Sequence, residues 1–483
     1  MWLLTIMYLG YFSYLLSTNI SLISLKEHTM VKIMSGTPVV MTIAGSDSGG
    51  GAGLEADIKT FAALGVHGTC AITSVTAQNT RGVLSIYDLP LHVISEQINA
   101  VCSDMDVKWA KTGMLSCAEI IALVSKEVRS NGLSLVVDPV MAAEAGGDLL
   151  RKDAVRVLKE ELLPFSKVVT PNIYEAHTLS GIDINDVNDA TKAAKKIAEL
   201  GVDTVVVTGG HLDASDVVYE SVSDKCTVIP GKFLEGGTHG SGCTYAASIT
   251  AFLSKGYSIV EAAMLAKSFV EKAIMNSEKV GHGVGPVNQL GSILKASYRY
   301  DTLLNTNSAA EILVSCDEFG KLIPEVGCNI AMAIPEATVV ADVAGVSGRI
   351  VRVRDRPYIA GNVEFGGSKH VASMVIAAME SDQSLRAAVN LRYSEKVLHI
   401  CRGIGLTISS FDRDVEAEQS EMTDLDVVSA INNSGSALLK KVPDIIYDKG
   451  CLGKEPMIRL FGKSAVEVAY KAVEIARLYS GIT

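Results

Sequence analysis

Residues 39 to 64 impose the strongest constraint on what this chain can fold into. An apolar, strand-like run, Val39–Ile43, leads into Gly45-Ser46-Asp47-Ser48-Gly49-Gly50-Gly51-Ala52-Gly53, and a helical pattern follows from Leu54 to Leu64. Strand, glycine turn and helix in that order form the usual phosphate or nucleotide site of open α/β sheets. No Gly-Lys-Ser/Thr follows, so this is not a Walker sequence; tight packing alone would also account for the glycines. Short β-branched runs then alternate with longer amphipathic stretches as far as residue 290 or so. Leu133–Val137, Lys167–Thr170 and Thr204–Thr208 read as buried parallel strands, and Glu119–Ser130, Ala190–Leu200 and Ile259–Asn276 as helices. The alternation predicts a mostly parallel sheet covered by helices on both faces.

Thr238-His239-Gly240-Ser241-Gly242-Cys243-Thr244 is a second small-residue turn, feeding a helical stretch from Tyr245 to Leu253. Glycines let the backbone approach a ligand closely. Orphan N–H groups and the helix dipole together favour an anion in front of them. A helix N-terminus also lowers a cysteine pKa, so Cys243 is expected to lean toward thiolate. An anion hole with a base inside it points to phosphoryl transfer. A plain glycine turn with a buried structural cysteine fits the heptad equally well.

At 483 residues the chain exceeds one ordinary core, so two domains are expected. With 48% hydrophobic and 20% charged residues it is globular rather than disordered. A net charge of −11 argues against a general nucleic-acid binder. It leaves phosphorylated small substrates open, because a pocket field can oppose the global charge. Nine scattered cysteines without a CxxC pair fit neither a disulfide framework nor a zinc site, and suit a reducing cytoplasm. Trp2–Leu16 is apolar, but no Lys or Arg precedes Lys26. The run thus lacks a signal peptide's basic n-region and is short for a membrane span. Met30 and Met34 lie just ahead of the first strand, so residues 1–34 are expected to be a leader arising from a start site set too far upstream.

Several short motifs stand in a telling order: Ala44–Phe61 (AGSDSGGGAGLEADIKTF), Ala77–Gly82 (AQNTRG), Lys111–Leu115 (KTGML), Asp138–Met141 (DPVM) and Thr170–Ala176 (TPNIYEA). Gly209-Gly210-His211, the Thr238–Thr244 heptad and Gly281–Pro286 (GHGVGP) complete the set. Together they resemble the hydroxymethylpyrimidine/phosphomethylpyrimidine kinase family of thiamine biosynthesis. The resemblance implies a ribokinase-like, three-layer fold over residues 35–300, and a kinase using ATP and Mg²⁺ on a pyrimidine alcohol and its phosphate. It makes Cys243 the base that accepts the hydroxymethyl proton, with the backbone of Gly240, Ser241 and Gly242 cradling the phosphate. Gln78, which can donate and accept at once, Asp57 and Gly45 would hold the pyrimidine. Without the resemblance, Asp57 reads as a surface acid favoured by a helix dipole. Asn172 and Glu175 form an N-x-x-E pattern used near Mg²⁺, with Asp138 on the same sheet edge; oxygen ligands suit that ion. One departure stands out. Many relatives carry Lys before Gly-Gly-His, where this chain has Thr208, and a hydroxyl cannot replace a point charge on phosphate.

Asn305–Ser308 is a polar break, so residues 301–308 are expected to be a linker ahead of a second α/β domain, 309–483. There Thr338–Val343, Arg349–Arg352, Ala387–Leu391 and Asp444–Tyr447 read as strands, and Val371–Met379 and Ala465–Leu478 as helices. Gly366–His370 precedes a helix, and Arg349, Arg352, Arg354, Arg392, Arg413, Lys454 and Arg459 add positive charge. A phosphate pocket and a solvated basic face are equally compatible with that. The pieces GRIVR (Gly348–Arg352), FGGSKHVA (Phe365–Ala372), AAVNLR (Ala387–Arg392) and GKEPMIR (Gly453–Arg459) resemble the archaeal-type thiamine-phosphate synthases. That resemblance implies coupling of the pyrimidine pyrophosphate to a thiazole phosphate, with Arg349 and His370 catalytic. Arg suits bidentate stabilisation of departing pyrophosphate; Lys369 stands where relatives often have Arg. A related domain acts as a ligand sensor, so the alternative is a kinase fused to a non-catalytic thiamine-phosphate-sensing module. Small-molecule substrates, a homo-oligomer, a cytoplasmic location and no nucleic-acid or membrane partner complete the expectations.

Overall fold

The computed structural model describes residues 36–142, 149–151, 153–210, 213–410, 442–451 and 453–481. The expected leader, His211 and Arg413 lie outside the described residues. The chain divides into two compact units, Met1–Ser292 and Ile293–Thr483.

The first unit is built on nine strands: β1 (Val39–Asp47), β2 (His67–Asn79), β3 (Gly82–Asp88), β4 (Val107–Thr112), β5 (Ser134–Val137), β6 (Val168–Val169), β7 (Thr204–Val207), β8 (Asp216–Glu220) and β9 (Lys225–Ile229). They lie in the order β3-β2-β1-β4-β5-β6-β7-β8-β9. The run from β2 to β7 is parallel, and β3, β8 and β9 add antiparallel edges. Strand periodicity explains the layers. Met41, Ile43, Leu135, Val137, Val169, Val205 and Val207 pack on one face, against helices that include Ala118–Ser130 and Val187–Ala198. Their neighbours Val40, Val136, Val168 and Val206 pack on the other, against Gly53–Ala63, Ser241–Ser254 and Ile259–Met275. Apolar residues at consecutive positions are what a sheet buried on both faces requires. The C-terminal ends of β1, β4, β5, β6 and β7 open toward one edge, the ligand side of such a sheet.

The second unit holds β10 (Ile330–Ala333), β11 (Val343–Val346), β12 (Ile350–Val353), β13 (Arg356–Ile359), β14 (Val363–Phe365), β15 (Ala387–Arg392), β16 (Ile408–Ser410), β17 (Ile445–Asp448) and β18 (Met457–Gly462). Seven form a sheet in the order β14-β11-β10-β15-β18-β17-β16, while β12 and β13 pair as a ribbon. All neighbours in that sheet are antiparallel except β16 and β17. Helix Lys369–Ser381 covers the face of Ala331, Ala388 and Phe461; helix Ala465–Tyr479 covers that of Ile330, Val389 and Leu460.

Two expectations are corrected here. Residues 301–308 are not a linker but the middle of a helix, Gly291–Val314. The polar groups there are used locally: Thr306 Oγ1 donates to Thr302 O at 2.8 Å, and Asn307 Nδ2 to Leu303 O at 2.9 Å. Asn305 Oδ1 accepts from Val466 N, in the first turn of the Ala465–Tyr479 helix, at 3.1 Å. The run read as a strand at Thr338–Val343 is instead a short 3₁₀ turn, Val340–Asp342, with β11 starting only at Val343.

Candidate active site

A cavity of about 530 Å³ lies at the C-terminal ends of the first unit's parallel strands. Asp47, the last residue of β1, shapes one wall. Its carboxylate accepts the N–H groups of Gly49, Gly51 and Ala52 at 2.8, 3.0 and 2.9 Å. Burial works to raise its pKa, but the bond to the His239 ring first, and then the Ala52 and Gly49 N–H groups, hold it below the ordinary value. Gly53 has φ +57, and a Cβ there would stand 2.5 Å from Gly45 O. The second turn rests on the first: Gly240 has φ +81, and its Cβ would lie 1.9 Å from Gly51 O. Only glycine serves at such a contact.

Helix Ser241–Ser254 starts directly after Gly240. The expected phosphate cradle is reduced by one donor, since Ser241 N–H is bonded to Thr238 O at 2.9 Å. Gly242 and Cys243 remain, in a first turn whose N–H groups have no partner within the helix. Both line the cavity, and open space surrounds the Cβ position of Gly242.

Cys243 does not lean toward thiolate. Burial, together with the carboxylates of Asp138 and Asp57, pushes its thiol up to about 12, against the opposing pull of Lys111 and the Gly53 N–H. The helix N-terminus is one influence among several, and desolvation outweighs it.

Asp57 is neither a surface acid nor a cavity residue. It is fully buried, accepts from Thr42 Oγ1 at 2.6 Å, and receives Lys111 Nζ at 2.9 and 3.0 Å on its two oxygens. Its acceptors are thus taken up behind the wall. Lys111, whose role the sequence did not reveal, is also wholly buried and lies 3.6 Å from Asp138. Its anionic neighbours, Asp57 foremost, outweigh burial and raise its pKa, so it stays charged. A lysine in the inner half of β4, directly after Trp109 and Ala110, was the available signal.

Gln78 and Gly45 do line the cavity, as do Asn172, Thr208, Asp138 and Glu175. Asn172 and Glu175 make a capping box on helix Ile173–Ser180: Asn172 Oδ1 accepts from Glu175 N and Glu175 Oε2 from Asn172 N, each at 2.9 Å. The N-x-x-E pattern therefore has a structural use of its own. Burial and, next, the Asp138 charge push Glu175 up to about 8. Asp138 Oδ2 is buried without a hydrogen bond. Two crowded carboxylates, one with an unsatisfied oxygen, fit a divalent cation. Among the described residues no group of three or more His, Cys, Asp and Glu could hold a metal by itself. Phosphate oxygens and waters would complete the shell, as Mg²⁺ prefers.

Thr208 N–H bonds Pro171 O at 2.9 Å, leaving its side chain on the cavity wall. No Lys or Arg lines the cavity among the described residues. Lys267 is tied to Asp216 at 2.9 Å, which in turn accepts Gly209 N–H at 3.0 Å. It supports the Gly-Gly turn and does not replace the missing lysine.

In the second unit, Arg349 follows β11 and is exposed, with its guanidinium donating to Val326 O and its stem across Gly327. His370 is exposed at the second position of helix Lys369–Ser381. The turn before it lies flat on β11: a Cβ at Gly367 would be 2.4 Å from Gly345 O. Arg459 is not part of a basic face, because it is buried and paired with Asp448 at 2.6 Å.

Residues 47–288 match the family model described as phosphomethylpyrimidine kinase, and residues 305–474 the one described as thiamine-phosphate synthase ThiN. The bifunctional thiamine biosynthesis protein ThiDN of Methanocaldococcus jannaschii is 32% identical over 449 residues, covering 92% of this chain and 99% of that protein. The chain belongs to this bifunctional thiamine-biosynthesis family. Its first unit is also similar to the hydroxymethylpyrimidine/phosphomethylpyrimidine kinase of Rhizobium meliloti, at 45% identity over 259 residues, 52% of this chain and 97% of that protein. Among solved structures, a Bacillus subtilis pyridoxal kinase in its ADP complex matches with a TM-score of 0.50 and 36% identity, covering 54% of this chain and all of that one (100%). The first unit thus has the expected ribokinase-like fold. No helix among the described residues is long and apolar enough to cross a membrane.

Proposed function

We propose that the first unit of this thiamine-biosynthesis protein transfers phosphate from ATP to the hydroxymethyl oxygen of 4-amino-5-hydroxymethyl-2-methylpyrimidine, and then phosphorylates the monophosphate. The second unit joins the resulting pyrophosphate to hydroxyethylthiazole phosphate and releases inorganic pyrophosphate. The observation that carries the kinase reading is the meeting of two features in one cavity: the open first turn of helix Ser241–Ser254 and the Gln78 amide. The first receives a phosphate; the second pairs with a heteroaromatic edge.

The transferred group needs positioning and charge neutralisation more than covalent help. The Gly242 and Cys243 N–H groups face its oxygens. Asp138 and Glu175 would hold Mg²⁺, which would supply charge neutralisation to the phosphate and to both carboxylates. With the Asp138 charge offset, two of the influences left on the Cys243 sulfur, Lys111 and the Gly53 N–H, favour thiolate. Once the thiol has given its own proton to solvent, the sulfur would accept the substrate hydroxyl proton as that oxygen bonds to the γ-phosphorus and the γ-phosphorus–oxygen bond to the departing ADP breaks. In the second unit Arg349 and His370 would steady the leaving pyrophosphate. Family membership along nearly the whole chain favours the enzyme over the sensor.

Purified protein supplied with the pyrimidine alcohol, thiazole phosphate and MgATP should form thiamine phosphate. Cys243→Ala should lower kinase turnover by roughly 10²–10⁴-fold while nucleotide binding persists. Near-parental turnover would remove Cys243 as the base. Accumulated pyrimidine pyrophosphate without thiamine phosphate would return the second unit to the sensing role.

A further inference from the structure

Two side chains beside Gln78 are absorbed by no step above. His239 is 5% exposed and Thr76 is 4% exposed. The His239 backbone is pinned at both ends, its N–H to Gly285 O and its O to Val287 N, each at 3.1 Å. The ring lies close against the first turn: a Cβ on Gly51 would stand 2.3 Å from its Cδ2. Its Nε2 stands 3.1 Å from Asp47 Oδ2 and 3.4 Å from the end of the Gln78 amide.

A carboxylate only accepts hydrogen bonds, so His239 Nε2 carries the proton. Asp47 is kept ionised by its three backbone donors and by His239. The structure sets Gln78 Nε2 toward His239 and Oε1 toward Thr76; the one Nε2 proton of His239 goes chiefly to Asp47, but a ring N–H offers no lone pair to an amide NH₂, so the two amide atoms are to be interchanged and the oxygen of Gln78 turned toward His239. Amide oxygen and nitrogen are distinguished by such networks and not by shape.

The other end of the amide gives the same answer independently. Thr76 Oγ1 lies 2.9 Å from Ser46 O and 3.3 Å from the Gln78 amide. Its single proton goes to Ser46 O, which can only accept. Thr76 therefore offers Gln78 a lone pair, and an amide N–H is what it meets. Backbone bonds between Gln78 and the Ser48 hydroxyl, 2.8 Å each, hold the residue in register.

We infer that His239 and Thr76 fix which way round the Gln78 amide points, and thereby make the first unit select a pyrimidine whose edge sets an amino donor beside a ring-nitrogen acceptor. The free lone pair of Oε1 and the free N–H of Nε2 present an acceptor and a donor side by side. A 4-aminopyrimidine edge is their complement. A 4-oxopyrimidine edge, with C=O and ring N–H exchanged, is their opposite. His239 is thus a positioning residue, and Gly51 is glycine because that ring must sit against it. The inference rests on the reading of the first unit as a pyrimidine kinase.

The test compares kcat/KM for 4-amino-5-hydroxymethyl-2-methylpyrimidine with that for its 4-oxo analogue, in the full-length protein. The parent should prefer the amino compound by about 10²-fold or more, since the wrong edge leaves buried polar atoms unpaired. His239→Phe removes the donor and keeps the bulk. It should cut the preference by about tenfold, chiefly through KM, because the amide can then turn over. His239→Gln, which can place an N–H at the same point, should restore most of it. Thr76→Val frees the other end without touching either glycine turn, and should also lower the ratio. That second variant decides the matter if His239→Phe folds poorly. If Thr76→Val and every folded His239 variant keep the parental ratio while absolute turnover falls, the two residues are merely structural and the inference is overturned. A parent that phosphorylates neither pyrimidine overturns the kinase reading itself, which is a separate and distinguishable result.

Discussion

Replacing Lys111 by Met would strand a carboxylate inside the first unit. Both side chains of the Lys111–Asp57 pair are 0% exposed, with Nζ 2.9 Å from Asp57 Oδ2. The remaining partner of Asp57 is the Thr42 hydroxyl at 2.6 Å. Met is close to Lys in length and adapts to its surroundings, so packing is largely kept and the charge is what changes. Breaking a buried pair by removing one partner costs about 3–5 kcal/mol, a large part of the ~5–15 kcal/mol that holds a domain folded. At ~2–4 °C per kcal/mol for a unit of this size, Tm should fall by roughly 6–20 °C. Adding Asp57→Asn removes the stranded charge, and the double variant should recover about 2 kcal/mol. Urea unfolding followed by tryptophan emission reports this cleanly. The sequence has two tryptophans, Trp2 and Trp109, so in a Trp2→Phe background the signal comes from Trp109 in the first unit, on the same strand as Lys111. A Lys111→Met protein within about 1 kcal/mol of its parent, well under the cost of a broken buried pair, would refute the reasoning. So would a double variant no more stable than the single.

Gly240→Ala should disrupt the first unit, because its φ is +81 and the new Cβ would strike Gly51 O. Gly242→Ala, with open space around its Cβ position, should fold normally and weaken nucleotide affinity; thermal melts and nucleotide titrations of the two separate packing from binding. Glu175 is raised from 4.5 to about 8, so the ligand-free protein gains most from it below its unfolded pKa and loses that stability as pH climbs through 8. A Glu175→Gln variant should be flatter over that window, by up to roughly 5 kcal/mol at ~1.4 kcal/mol per unit, and parallel profiles in pH-dependent melts would count against the shift. Arg349→Ala and His370→Ala should stop coupling and spare the kinase, so pyrimidine pyrophosphate builds up in a chromatographic assay; unaltered thiamine phosphate output would clear both residues of a catalytic part.

The sheet was readable because it is buried on both faces. Val40 beside Met41, and Val136 between Leu135 and Val137, signal two cores with no spacing to resolve. The glycine turns were readable for a related reason, since backbone meeting backbone at Gly51 and Gly240 leaves no room for a side chain. What escaped was whatever depends on distant partners. Asp57 lies at a helix start, yet its surroundings are set by Lys111, 54 positions away. His239 and Asp47 stood inside quoted motifs without a role, because the bond between them spans 192 positions. The polar letters of 305–308 marked a break only while their acceptors one turn back went unseen. For Cys243 the helix N-terminus alone could be read from the sequence; the burial and the carboxylates of Asp138 and Asp57 that raise its thiol come from distant segments.

The placement of charge around the cavity has a consequence for how the site turns on. Its described wall carries carboxylates and a helix N-terminus but no Lys or Arg. The one buried cation nearby, Lys111, sits behind the wall and is shared by Asp57 and Asp138. A lysine on the wall would draw anions at all times, and would leave a thiolate beside it exposed to oxidation. Here burial first, and then the carboxylates of Asp138 and Asp57, raise the Cys243 thiol. If Cys243 is the base proposed above, neutralising Asp138 would do two things at once: it would make the wall acceptable to phosphate, and it would remove one of the influences that hold the sulfur protonated. On that proposal, proton acceptance would be tied to the arrival of the charged substrate pair through the Asp138 carboxylate.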